Sequence, residues 1–200
     1  MKFEKIKSIL STKNVGIAGC GGLGSNCAVA LARVGIGKLV LADFDIIEES
    51  NLNRQYYFYD QIGKPKVFSL KENILRINPS IKIEEYNIKL SEKEIVDLYK
   101  NCDVIVEAFD KAEMKEIIVE TVQTFFPEKY LVCGVGLAGW GGNDLIRTER
   151  FGNLFVVGDQ LNETNEDDPP LAPRVGIVAN MMANVVLEIL LVKTNENNFK

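Results

Sequence analysis

Histidine does not occur anywhere in the 200 residues. Its absence removes the side chain that most readily exchanges a proton near neutral pH, and the commonest nitrogen ligand for zinc. Cysteine is sparse: the four present, Cys20, Cys27, Cys102 and Cys133, form no C-x-x-C pair. A zinc site built from clustered nitrogen and sulfur ligands is therefore not expected. Burial as small apolar residues is the expectation for all of them. Basic residues are in the minority, 23 Lys and Arg against 28 Asp and Glu, giving a net charge of -5. They are scattered along the chain, so nucleic acid is not an expected partner. The start, MKFEKIKSILSTKN, lacks the apolar run and small-residue cleavage site of a signal peptide. The most apolar window, VGIVANMMANVVLEILLV, carries Asn180, Asn184 and Glu188 at every fourth residue. One polar stripe on an apolar helix fits a core helix better than a membrane span. A cytoplasmic protein without membrane partners is the simplest expectation.

What is present is 46% hydrophobic sequence, enough for one domain, 1–200, with a sizeable core. The runs NVGIAG, GKLVLADFD, IKIEEYNI, CDVIVEAFD and KYLVCGVGL have strand character, and helical patterns separate them. That alternation predicts an α/β, Rossmann-like, mostly parallel sheet flanked by helices. After Gly142 the segments DLIRTER and NLFVVGD are expected as late antiparallel strands, and the chain closes on a C-terminal helix. SEKE at Ser91–Glu94 is a capping box opening a helix whose Ile95, Leu98 and Tyr99 share a face. The polar run NETNEDDPPLAPR, Asn162 to Arg174, is expected as a surface crossover loop, and the tail KTNENNFK as a frayed end.

Gly19, Gly21 and Gly24 form G-x-G-x-x-G straight after the first strand, and Asp43 ends the second. In a dinucleotide-binding fold, such glycines admit phosphates close to the backbone at a helix N-terminus, and the acid takes a ribose hydroxyl. A tight strand-to-helix turn without ligand is the plain alternative. NAD is disfavoured among nucleotides, because no second region and no histidine are present to handle a substrate and its proton. The next stretch is also unusual. DFDIIEESNLNRQ places Ser50, Asn51, Asn53, Arg54 and Gln55 in a polar cluster where a dinucleotide fold would turn directly into a helix.

The segments GCGGLGSN, LADFDIIEESNLNRQ, IGKPKV, RINPSIKI and EAFD, in that order and spacing, resemble the adenylate-forming ThiF/MoeB family, relatives of ubiquitin-activating enzymes. The resemblance covers roughly residues 14 to 140. The closing LAPRVGIVANMMANVVLEIL is similar to the last helix of the short ThiF form of thiamine biosynthesis. What the resemblance implies is ATP- and Mg2+-dependent adenylation of the C-terminal glycine of a ubiquitin-like sulfur carrier ending in Gly-Gly, most closely ThiS, by a homodimer. An α-carboxyl group, with a pKa of about 3.3 to 3.7, arrives ionised. No general base is then needed, and the missing histidine is harmless.

The same resemblance assigns Arg54 and Lys66 as phosphate-binding cations, Asp43 as the ribose acid, Gly22 as a point of close approach to the nucleotide, and Asp110 as the magnesium-linked aspartate. Asp45 and Asn51 would shape the loop or support the nucleotide. Solvated surface positions for Arg54 and Lys66, and a helix cap near Ala112 for Asp110, are the plain alternatives. Longer relatives add an N-terminal arginine, C-x-x-C zinc pairs and often a crossover-loop cysteine. Here only one short helix is expected before the first strand, and no cysteine follows Cys133. No zinc and no covalent cysteine intermediate are therefore expected. Arg174 would either supply a missing cation or sit at the surface. The competing functions are a non-catalytic nucleotide-binding or partner subunit and, further off, an NAD-dependent oxidoreductase.

Overall fold

A computed structural model describes residues 1–161, 165 and 167–196, with residues 193–196 described by their backbone alone. Parts of two expected segments, the crossover loop at Asn162, Glu163, Thr164 and Glu166 and the tail at 197–200, lie outside the described residues.

Seven strands form one sheet in the order β3-β2-β1-β4-β5-β7-β6. They are β1 (Asn14–Ala18), β2 (Lys38–Ala42), β3 (Lys82–Tyr86), β4 (Val104–Glu107), β5 (Tyr130–Val135), β6 (Arg147–Phe151) and β7 (Leu154–Gly158). All neighbours are parallel except β6, which runs antiparallel to β7. The central strands β1, β2 and β4 are almost wholly buried, as continuous apolar runs must be when helices cover both faces. The edges are polar. β3 carries Lys82, Glu84 and Glu85, with Lys38 of β2 bridging to Glu84 at 2.6 Å, and β6 is mostly exposed with Arg147 paired to Glu149, so neither edge invites another strand.

The helices are α1 (Phe3–Leu10), α2 (Gly22–Arg33), α3 (Lys66–Leu75), α4 (Glu92–Tyr99), α5 (Ala112–Phe125) and α6 (Ala172–Glu196). Leu10, α2, α3 and α6 build one apolar layer, and α4 with α5 builds the other. The capping box at α4 forms as expected, Glu94 accepting the Ser91 N–H at 3.1 Å, and Ile95 and Tyr99 are buried behind it. The Tyr99 ring lies over β1 where Gly16 has no side chain, and its hydroxyl donates to the Ile17 carbonyl at 3.1 Å. By length and composition α6 is apolar enough to cross a membrane, yet 50% of Ala172–Val192 is buried within the fold. Its contacts are chiefly with α2 and β5, and also with β7, α1 and β4. Asn180, Asn184 and Glu188 lie on its exposed side, which is the stripe their spacing predicted.

Strand order reverses between β1 and β4. In an open α/β sheet the crevice at that reversal, beyond the carboxyl ends of the strands, is where ligands bind. The glycine turn follows β1 and Asp110 follows β4, so the fold brings both to that crevice.

Candidate functional site

The turn Gly19–Gly24 is built by backbone packing that excludes side chains. Gly19 adopts φ +92°, and a Cβ there would stand 2.8 Å from the Ala108 carbonyl oxygen. A Cβ at Gly24 would collide with the Gly19 carbonyl, so the start of α2 closes directly onto the end of β1. Gly21 differs. A Cβ there would meet nothing nearer than Gln55 Nε2 at 3.8 Å, and at Gly22 it would lie 3.0 Å from Val175 Cγ1 and 3.6 Å from Arg54 Cγ. The turn is thus closed on its protein side and open over Gly21, a cradle where backbone N–H groups at a helix N-terminus face outward.

The polar cluster after β2 is stitched to this turn. Asn26 donates to the carbonyls of Gly22 (2.7 Å) and Arg54 (2.9 Å). Ser25 Oγ accepts the Tyr56 N–H at 3.0 Å, and the Tyr57 hydroxyl donates to the Cys20 carbonyl at 2.7 Å. Asn51, buried within the short helical turn Glu49–Asn51, accepts the Glu48 N–H at 3.1 Å. Its place is in shaping the loop. Arg54 is brought alongside Gly22, its guanidinium bonded to the Ser50 carbonyl (3.1 Å) and Asn53 Oδ1 (2.7 Å). Partial burial pulls the Arg54 pKa down, and the charge of Asp110 opposes the shift. Asp110 thus lies near enough for its charge to act on the Arg54 guanidinium.

Asp43 is buried at the end of β2. One carboxylate oxygen accepts the Cys20 N–H at 2.6 Å and the other the Asp45 N–H at 2.8 Å. Burial raises its pKa, against the N–H groups and Lys66, which lower it. Asp43 thus already holds the glycine turn against the second loop. Lys66, at the start of α3, is not the solvated cation of the plain reading: it is buried and paired with Asp45 at 2.7 Å, while Asp45 remains 48% exposed. Asp110 is exposed. The cap of α5 falls on Lys111 with no side-chain cap bond, so the capping alternative for Asp110 does not hold. Arg174 is corrected too. It is 4% exposed and paired with the buried Asp159, so it is neither a surface residue nor a free cation.

Three features escaped the sequence. Glu107, fully buried at the end of β4, accepts the Phe109 N–H at 2.6 Å and Lys115 Nζ at 2.9 Å. Lys115 also donates to the Gly134 carbonyl at 2.8 Å, clamping the turn that carries Asp110. The Asp159–Arg174 pair gives no local signal, because its members are far apart in sequence. Gln55 stood in the polar cluster, but only the structure shows that its Oε1 is buried without a hydrogen-bond partner beside the open face of Gly21. An orphaned polar atom next to an anion cradle fits a ligand with donors and phosphates. Among the described residues no group of three or more His, Cys, Asp or Glu side chains converges.

Fold and site together define an α/β protein with an open glycine cradle at the strand-order reversal, where such sheets bind their ligands. The match to the ThiF family runs over residues 3–200, and the chain belongs to that family. It is 31% identical over 189 residues to the probable adenylyltransferase/sulfurtransferase MoeZ of Mycobacterium tuberculosis, covering 90% of this chain and 44% of that protein. It is 39% identical over 100 residues to the molybdopterin-synthase adenylyltransferase of Haemophilus influenzae, covering 50% of this chain and 41% of that protein. The matched regions thus span less than half the length of these relatives. Among solved structures, the Escherichia coli tRNA N6-threonylcarbamoyladenosine dehydratase TcdA in complex with AMP superposes with a TM-score of 0.87 at 18% identity, over 96% of this chain and 92% of that one. That likeness shows the fold. Escherichia coli MccB with ATP superposes with a TM-score of 0.68 at 26% identity, over 92% of this chain and 57% of that one.

Proposed function

We propose that the protein transfers AMP from ATP to the C-terminal glycine carboxylate of a ubiquitin-like sulfur carrier ending in Gly-Gly, of the ThiS kind. The observation that carries this reading is the open glycine cradle flanked by Arg54 and Asp110, with the unpartnered Gln55 Oε1 beside it. Adenylyltransferases among the relatives lend it weight. A carboxylate oxygen forms a bond to the α-phosphorus, the bond from that phosphorus to the β-bridging oxygen breaks, and pyrophosphate leaves. No proton moves, which suits a site without histidine. The work left to the protein is placement and charge neutralisation.

Arg54 offers a fork of donors to phosphate oxygens, and Lys66, aimed by Asp45, a point charge. Asp43 keeps lone pairs for a ribose hydroxyl while its N–H bonds hold the turn. Mg2+ bound through Asp110 would draw its remaining ligands from phosphates and water, the usual arrangement for a hard ion at a nucleotide site. We place the protein in a homodimer. The exposed apolar side chains Phe44, Ile46, Phe58, Tyr59, Ile62 and Phe68 all fall in the segment that carries Arg54 and Lys66, a concentration that marks an interaction surface.

A second reading, with tRNA N6-threonylcarbamoyladenosine as the substrate, has behind it only the fold shared with TcdA over 96% of this chain and is opposed by the net charge of -5. ATP–pyrophosphate exchange separates them. Exchange should depend on a carrier ending in Gly-Gly and not on tRNA. Binding of NAD without ATP, or exchange driven by tRNA alone, would rule out the carrier reading.

A further inference from the structure

Between β5 and β6 the chain runs Gly139-Trp140-Gly141-Gly142, and Trp140, the single tryptophan of the sequence, is 76% exposed. Its loop is nonetheless firmly held. The Gly141 carbonyl accepts from Arg174, whose other terminal nitrogen donates to Asp159. On the opposite side, the Gly139 N–H donates to the Pro169 carbonyl at 3.1 Å. Asp159 also accepts the N–H of Leu161 at 2.9 Å, and Leu161 is 70% exposed. One buried ion pair therefore fixes the backbone beneath two large exposed apolar side chains. A buried pair needs such added hydrogen bonds to offset its desolvation. Arg174 has them to Gly141 and Asp159, although its Nε is left unpartnered.

Both anchors of the loop lead to the nucleotide cradle. Val175, next to Arg174, packs over Gly22. The Pro170 carbonyl, next to Pro169, accepts from Asn53 at 3.3 Å, and Asn53 in turn accepts from Arg54. We propose that Trp140 and Leu161 form the docking face for the extended C-terminal tail of the acceptor polypeptide, and that Asp159 and Arg174 are the positioning residues that hold it. This rests on the carrier reading above. The occupant follows from contiguity: a terminal carboxylate bound for the cradle must be delivered by a chain lying beside it. Two terminal glycines leave flat peptide planes free to pack on an indole, and tryptophan is among the side chains most enriched where binding energy concentrates.

Because Trp140 is the sole tryptophan, its emission reports docking without any turnover. A tryptophan-free synthetic peptide ending in Gly-Gly should shift the emission to the blue, and ATP alone should not. In carrier-dependent exchange, Trp140→Ala should raise the carrier KM by about 30-fold, as expected for loss of a hot-spot residue of about 2 kcal/mol. The KM for ATP should stay within about twofold and kcat at saturating carrier should persist. Arg174→Lys, which keeps the charge but loses the fork, should give an intermediate carrier KM. An ATP-induced shift, a rise in the KM for ATP, or a loss of dimer with an unchanged carrier KM would assign the indole to the nucleotide or to a second copy and overturn the proposal. A peptide-induced shift in a protein without exchange activity would keep the docking face and remove the adenylation reading.

Discussion

Asp110 and Arg54 test the proposed chemistry at the level of single side chains, because neither contributes to the core. Asp110 is exposed, and the Arg54 guanidinium bonds to Ser50 and Asn53 of its own loop. Asp110→Ala and Arg54→Ala should each lower carrier-dependent exchange by about 100-fold while leaving the urea midpoint unchanged. Lys66 should behave differently. It is buried against the half-exposed Asp45, so Lys66→Met should lose exchange and also lower the midpoint, by removing the partner of a carboxylate that is part desolvated. Wild-type exchange in all three variants would leave the site without support. The sequence showed these residues through motif order. It did not show that Lys66 is inside, or that both oxygens of Asp43 already accept backbone N–H groups, since hydrogen-bond partners across the fold leave no trace in local spacing. Arg174 misled for the same reason: an arginine at a helix start looks solvent-facing until its partner Asp159, from another element, is known.

Elements were legible wherever a periodic pattern had a single explanation. The strands β1 to β5 and the capping box of α4 fall where apolar runs and SEKE predicted them, and β6 starts at Arg147 because Asn143–Leu145 form a short helical turn instead. What spacing alone cannot resolve is which glycine serves the fold and which the ligand. Gly24→Ala should destabilise the protein strongly, since its methyl would strike the Gly19 carbonyl. Gly21→Ala should leave the thermal midpoint nearly unchanged and weaken ATP binding, because its methyl would enter the open cradle; calorimetric titration beside a melting curve separates the two. Equal loss of stability in both variants would contradict the assignment of Gly21 to the ligand. The capping box yields a pH prediction. The side-chain and backbone hydrogen bonds from Ser91 hold the Glu94 pKa below its ordinary value. A carboxylate depressed in the folded state contributes its full stability above its unfolded pKa and loses it as pH falls through the folded one. Glu94→Ala should therefore lower the urea midpoint at neutral pH, and the difference from wild type should fade on acidification past the ordinary glutamate range.

The whole molecule is two apolar layers on one sheet, and the cysteines sample both. Cys20 and Cys27 lie in the layer of α2, α3 and α6, while Cys102 and Cys133 lie in the layer of α4 and α5. Burial pushes the thiols of Cys27 and Cys102 up to about 12, and raises Cys20 and Cys133 well above the ordinary range. At Cys133 the carboxylate of Glu107 adds to the shift. The reactive species is the thiolate, so these cysteines should be unreactive toward iodoacetamide at pH 8 in the folded protein, and any labelling must pass through opening. Central strands pack on both faces and tie the layers together: Gly16 of β1 takes the Tyr99 ring on one side, while its neighbour Ile17 packs into the other layer. If that coupling makes unfolding a single cooperative step, all four cysteines should label with one midpoint along a urea series. Labelling of Cys102 and Cys133 well before Cys20 and Cys27, resolved by peptide mass spectrometry, would show instead that the layer behind β4 opens on its own. The same series bears on chemistry. A variant with all four cysteines replaced, provided circular dichroism shows it folded, should still form carrier adenylate, because all four thiols are buried.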